Sequence, residues 1–211
     1  MKKIIKNALI LTAITLVAGL LLGVVHAVTL KPIQEQQEKS KQTAFQEVFS
    51  EAAGFEEVDI TASAEEISEH MTSAGFTAQT IDEVWMPVDA NGDALGLVIV
   101  LSTTEGYDGG MQFSIGVTED GTMTGISFLS LSETAGLGMK ANTDEFKSQF
   151  QGKSVEAFEY TKTGAVSDNQ IDALSGATLT TGAVTNGVNA GLEFFRYYNE
   201  TELAGKGGSA S

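Results

Sequence analysis

Hydrophobicity changes character three times along the chain. Residues 1–6 are basic, and the eighteen residues from Ala8 to Val25 then carry no charge and are almost wholly apolar (ALILTAITLVAGLLLGVV). At about 1.5 Å per residue such a helix covers roughly 27 Å, close to the ~30 Å hydrocarbon core of a bilayer. The run continues through Ala27, Val28 and Leu30 if the helix tilts, with His26 near the outer interface. The segment reads as a single transmembrane anchor. Val25-His26-Ala27 also fits a signal-peptide cleavage site, but the apolar stretch exceeds the usual ~7–15 residues of a signal core, which favours the anchor. Lys2, Lys3 and Lys6 precede the span, so the positive-inside rule puts them in the cytoplasm and everything from Lys31 onward outside.

From Lys31 to Ala53 the pattern becomes a polar helix with a thin apolar stripe, Ile33, Phe45, Val48, Phe49 and Ala52, read as a stalk packing onto the following domain. Ser63-Ala-Glu-Glu66 is a helix-start signal before Ile67 and Met71. His70 lies there without a second ligand-type residue at helical spacing and reads as a surface or partly buried histidine. Strand-like runs follow at Ile81–Val88, Leu95–Leu101, Met111–Val117 and Met123–Leu131, separated by turn signals at Asp89–Asp93, Gly106–Gly110 and Glu119–Gly121. Trp85 is assigned to the core. Asp89, Asn91 and Asp93 have calcium-loop spacing, but the twelfth loop position is Val100 instead of a glutamate, so a hairpin turn is expected and no metal site.

A short helix is expected at Asp144–Phe150, a strand at Val155–Tyr160 and a polar connection at Gly164–Gln170. Leu179–Tyr198 is an amphipathic helix, with Val184, Val188, Leu192 and Phe195 at steps of four and three. The expected division is a cytoplasmic tip and anchor at 1–30, a helical stalk and N-terminal part of the domain at 31–76, a main domain at 77–200 and a disordered tail at 201–211. Antiparallel hairpins with flanking helices make the fold α+β.

Composition narrows the functions. Three of the 12 basic residues, Lys2, Lys3 and Lys6, lie in the first thirty residues, which hold no acid, and this leaves nine basic against 28 acidic from Lys31 on, a balance of −19. That surface repels a phosphate backbone, so nucleic acid is excluded as a partner. The absence of cysteine removes disulfides, thiolate metal sites and a cysteine nucleophile.

Two loops carry the candidate chemistry. Asp172-Ala-Leu-Ser-Gly-Ala-Thr178-Leu-Thr-Thr181 runs into the start of the last long helix, where free backbone N–H groups and the helix dipole suit a phosphate. Gly176 and Ala177 leave the approach open, and Ser175, Thr178, Thr180 and Thr181 crowd hydroxyls around it. On pattern alone an N-cap role is the preferred reading of Thr178 over a phosphate site. Glu133-Thr-Ala-Gly-Leu-Gly138-Met-Lys140 follows an apolar strand directly. Its two glycines, Gly136 and Gly138, around Leu137 suit either a plain turn or close approach of the backbone to a flat ligand. A ligand with a phosphate at one end and a flat apolar body at the other would use both loops, and flavin mononucleotide (FMN) fits.

Asp172-x-x-Ser-Gly-Ala-Thr178 resembles the flavinylation motif of the FMN-binding subunits of two related membrane complexes: the G subunit of the Rnf electron transport complex and the C subunit of the sodium-pumping NADH:quinone reductase. Glu133–Gly138 resembles their ETPGLG segment, with Ala135 in place of the proline and so without its fixed φ. The resemblance runs from the anchor to about Tyr198, and the compact length suits the Rnf protein better. It implies an extracytoplasmic domain with FMN attached by a phosphoester to Thr178, put there by a flavin transferase that uses FAD and Mg²⁺ and recognises Asp172. It implies Leu137 against the ring, Thr134 and backbone groups as hydrogen-bond donors or acceptors, and Lys140 as counter-charge to phosphate or reduced flavin. It also implies partners among the other Rnf subunits, a role in passing electrons between ferredoxin and NAD⁺ while ions are moved, and no catalytic residue of the chain's own. The alternatives are the quinone-reductase protein, an independent extracytoplasmic flavin carrier, and a cofactor-free anchored scaffold in which Thr178 is only a helix cap.

Overall fold

The computed structural model describes residues 2–207. Chain contacts divide it into residues 1–42 and residues 43–211. The first helix, α1, is Lys2–Val48 and includes Pro32 within it. Stalk and anchor are thus one helical element, not two. Every described residue up to position 40 is exposed, and the helix is long and apolar enough to cross a membrane. Leucines, isoleucines and valines from Ile4 to Leu30 lie bare on all sides, a surface that needs lipid or another protein over it.

In the second unit, β1 (Gly54–Val58), β2 (Gln79–Val88), β3 (Gly96–Gly106), β4 (Gly109–Thr118) and β5 (Met123–Leu131) form an antiparallel meander in chain order. All four expected long strands are present, with β1 added at one edge. Asp89 Oδ1 closes the β2–β3 turn by accepting from the amides of Asn91 (2.8 Å) and Asp93 (2.9 Å). That carboxylate serves the turn, as expected, and among the described residues no cluster of three or more metal-ligating side chains occurs.

β3 explains its own unbroken apolar run. Leu97, Ile99 and Leu101 pack on one face with Val184, Val188, Leu192 and Phe195. Val98 and Val100 pack on the other with Phe45, Val48, Phe49 and Ala52. A strand buried on both faces gains nothing from polar alternation, and each such side chain contributes about 1.5–3 kcal/mol by leaving water. The expected stripe therefore docks at Phe45, Val48, Phe49 and Ala52, whereas Ile33 is 51% exposed and takes no part. Trp85 is half-buried: its ring lies 5.4 Å from that of Phe45 and its indole N–H donates to Glu83 Oε2 at 2.8 Å.

Helix α2 is Ala64–Ser73, with Ile67 and Met71 buried. His70 is half-buried, sharing a 2.9 Å hydrogen bond with Glu193 Oε1 and stacking on Tyr197. Helix α3 is Asp144–Lys147, followed by a 3-10 turn at Ser148–Phe150.

Two expectations are corrected between α3 and the last helix. The strand at 155–160 shrinks to β6, Glu159–Thr161, and the polar connection ends in a further strand, β7, Gln170–Asp172. The two pair in parallel. Asn189 sets the start of β6: its Oδ1 accepts from the Phe158 amide (2.7 Å) and its Nδ2 donates to the Phe158 carbonyl (2.9 Å). The last helix, α4, is Thr178–Gly207. It thus continues through residues 201–207, where a tail was expected, and residues 208–211 lie outside the described ones.

Candidate functional site

β7 delivers the chain into a five-residue loop, 173–177, and α4 begins at Thr178. The loop is fastened from within. Gly176 has φ +75°, a conformation that side-chain-bearing residues rarely adopt. The Ala177 amide donates to the Leu174 carbonyl (3.1 Å). Thr181 Oγ1 donates to the Ala177 carbonyl (2.9 Å) and accepts from the Leu174 amide (3.1 Å). Thr181 is fully buried, and its hydroxyl is committed to shaping this loop.

The first intrahelical bond runs from the Thr181 amide to the Ala177 carbonyl at 3.0 Å. Ala177 is therefore the cap position, and it has no side chain with which to cap. Thr178 is the first helical residue. Among the described residues its hydroxyl makes no hydrogen bond, and the amides of Thr178, Leu179 and Thr180 meet no acceptor. The first turn also lacks an acidic residue. No side chain of the first turn compensates the positive end of the helix dipole, an arrangement that favours an anion.

The second loop comes to meet this one. Gly136 has φ +77° and makes the turn. Gly138 serves a different purpose: a Cβ there would lie 2.5 Å from Glu133 Oε2 and 2.7 Å from Thr180 Oγ1, so only glycine lets the loop approach α4. Leu137 Cδ2 comes within 3.1 Å of where a Cβ on Gly176 would be. Glu133 reaches the β3–β4 hairpin, where Oε1 accepts from the Tyr107 amide at 2.9 Å.

Between these pieces opens a cleft of about 490 Å³, lined by Tyr107, Glu133, Thr134, Leu137, Gly138 and residues 176–180. The volume lies within the about 300–1,000 Å³ typical of small-molecule and cofactor sites. Of the residues singled out from sequence, Glu133, Thr134, Leu137, Gly138, Gly176, Ala177, Thr178 and Thr180 line it. Asp172, Ser175, Gly136, Thr181 and Lys140 do not. Asp172 Oδ1 accepts from the Ala165 amide (2.7 Å), and its own amide donates to Gln149 Oε1 (2.6 Å), so it braces the approach to the loop. Lys140 is exposed and outside the lining, which leaves Glu133 as the charged side chain of the cleft and the α4 amides as its source of positive potential. Tyr107 and Leu179 are lining residues that the sequence reading passed over. The available signal for Tyr107 was an aromatic residue at a hairpin tip, where small turn formers are usual.

The cleft fits FMN on these grounds. Its lining offers unengaged amides and a free hydroxyl for a phosphate, and the apolar surface of Leu137, Leu179 and Tyr107 for a ring. Residues 106–193, which hold both loops and the hairpin tip, match the FMN-binding domain model, and residues 1–48 match the RnfG N-terminal region. The G subunit of the Na⁺-translocating ferredoxin:NAD⁺ oxidoreductase complex of Acetobacterium woodii is 34% identical over 198 residues, covering 92% of this chain and 93% of its own length. The chain belongs to the RnfG family. The G subunit of the ion-translocating oxidoreductase complex of Methanosarcina acetivorans is 28% identical, covering 92% of this chain and 95% of its own. Among solved structures, NqrC of Shewanella oneidensis has a TM-score of 0.49 at 21% identity, covering 57% of this chain and 61% of its own.

Proposed function

We propose that this RnfG-family chain is an electron-transfer subunit of a membrane-bound, ion-translocating ferredoxin:NAD⁺ oxidoreductase and carries FMN through a phosphoester to Thr178. The observation that carries this reading is the state of Thr178: half-buried, lining the cleft, first in α4 and without a hydrogen bond among the described residues. The rival scaffold reading needs Thr178 as a cap, and the cap position is Ala177. Neighbouring threonines suit the acceptor role less, because Thr180 is 1% exposed and Thr181 is fully buried and twice bonded.

Bound there, FMN would supply reversible electron uptake at its ring system. The chain's residues do the rest. Thr178 Oγ1 would become the ester oxygen, giving up its proton as the pyrophosphate bond of the donor FAD breaks and AMP leaves. The amides of Thr178, Leu179 and Thr180 stand where they stabilise phosphate charge. Leu137, Leu179 and Tyr107 provide apolar surface for the ring, with Thr134 beside them. Asp172, exposed and rigidly held, is the feature a flavin transferase would recognise from outside.

The apolar part of α1 serves as a single-pass anchor, with Lys2, Lys3 and Lys6 on the cytoplasmic side and the cleft-bearing unit outside. It has no ionisable residue between Asn7 and His26, so it serves as anchor and partner contact and not as an ion path. The protein has no independent catalytic activity; its electron donor and acceptor are other members of the complex. The test is mass measurement on the chain co-expressed with a flavin transferase. A mass increment of FMN minus water on the peptide holding Thr178 is expected, and an unmodified peptide under those conditions would sink the reading.

A further inference from the structure

We propose that Tyr107 is a ring-contacting residue of the cleft and that Glu133 is the positioning residue that sets it there, an inference that rests on the flavin reading above. Tyr107 occupies the two-residue tip of the β3–β4 hairpin, between Gly106 and Gly109. Its side chain does nothing visible for the fold. It is 69% exposed, and among the described residues its hydroxyl has no hydrogen-bond partner and its ring no aromatic neighbour. Among the described residues six large apolar or aromatic side chains are exposed in the second unit, and three of them, Tyr107, Leu137 and Leu179, line this one cleft. Exposed apolar groups drawn together in this way mark a binding surface.

The backbone under the ring is held tightly. The Tyr107 amide donates to Glu133 Oε1 at 2.9 Å, a bond strengthened by the acceptor's charge. A Cβ on Gly106 would lie 3.0 Å from the same oxygen and 2.4 Å from the Gly109 carbonyl oxygen, and a Cβ on Gly138 would lie 2.5 Å from Glu133 Oε2. The carboxylate thus fills the space between two glycines and joins the hairpin tip to the Gly-rich loop. A fixed backbone carrying an unengaged aromatic side chain is prepared for a flat partner, which it would meet in offset-stacked or edge-on contact. The other large apolar side chains of the lining, Leu137 and Leu179, are aliphatic, so Tyr107 supplies the aromatic face.

The experiment uses the full chain, co-expressed with flavin transferase and purified in detergent. Flavin stoichiometry is measured first, by absorbance and mass. A phenol beside an excited flavin quenches its fluorescence, so lifetime and visible circular dichroism report the contact without any activity assay. Tyr107→Leu is expected to lengthen the lifetime several-fold and alter the visible dichroism at unchanged stoichiometry. Tyr107→Phe is expected to lengthen the lifetime while keeping the dichroism. Glu133→Ala should split the population into short- and long-lived fractions, and Tyr160→Leu, which removes an exposed aromatic outside the cleft, should change neither readout. Flavin present with wild-type lifetime and dichroism in both Tyr107 variants overturns the proposal while leaving the flavin reading intact. A wild-type chain that carries no flavin defeats the flavin reading and this proposal with it.

Discussion

Replacing Gly138 by alanine tests the packing that brings the two loops together. The added methyl would lie 2.5 Å from Glu133 Oε2, 2.7 Å from Thr180 Oγ1 and 2.9 Å from Glu133 Cβ. A carboxylate oxygen at the end of a long side chain can swing aside. Glu133 Cβ cannot move without the loop backbone, and Thr180 is 1% exposed on the first turn of α4. Overpacking of this kind costs about 1–3 kcal/mol. For a unit of 150–250 residues, each kcal/mol lowers Tm by about 2–4 °C, so the expected drop is about 2–12 °C. Thermal melts of wild type, Gly138→Ala, Glu133→Ala and the double variant form a cycle that isolates the clash. Glu133→Ala takes away only the Oε2 contact and leaves those with Glu133 Cβ and Thr180 Oγ1, so it should relieve at most a small part of the Gly138→Ala loss. Gly138→Ala melting with wild type would refute the close-approach account of this glycine.

Two further outcomes follow from the same geometry. Thr181→Val keeps shape and burial but leaves the Leu174 amide without its acceptor, which should cost about 1–3 kcal/mol in urea unfolding and loosen the loop before Thr178. Glu193 is held below the ordinary carboxylate range chiefly by the hydrogen bond from Arg196, with burial opposing and the His70 bond adding to it. A depressed folded pKa stabilises the fold above the unfolded value of about 4.3, and that contribution is lost as pH falls through the lower folded value. Stability measured from pH 6 downward should therefore fall less steeply below about pH 4.3 in Glu193→Gln than in wild type, and parallel curves would contradict this.

Much of the fold was legible because its signals are long. The strands from Ile81 to Leu131 carry β-rich runs with Gly- and Asp-containing turns between them, and Val184, Val188, Leu192 and Phe195 mark one face of α4 for burial. β7 escaped notice because it has three residues and one buried side chain, Ile171. Its existence depends on pairing with β6, which Asn189 holds from about thirty residues further on. Ile33 looked like part of the docking stripe because helical spacing alone does not say where packing begins. In the candidate site, the two loops were visible as motifs. What the sequence concealed was their mutual contact: Gly138 against Thr180, Leu137 against Gly176, and Glu133 reaching Tyr107. Those are distances between segments far apart in the chain, and no local pattern encodes them. The cap ambiguity at Thr178 was likewise a one-residue question, decided by the bond from the Thr181 amide to the Ala177 carbonyl.

The central claim is that one hydroxyl, that of Thr178, carries the flavin. Peptide mass spectrometry of wild type and Thr178→Ala, each co-expressed with flavin transferase, tests it most directly. The account predicts an FMN-minus-water increment on the wild-type peptide holding Thr178, with loss of both the increment and in-gel flavin fluorescence in the variant. An unmodified wild-type peptide, or label persisting in Thr178→Ala and so assigned to Thr180 or Thr181, would contradict it.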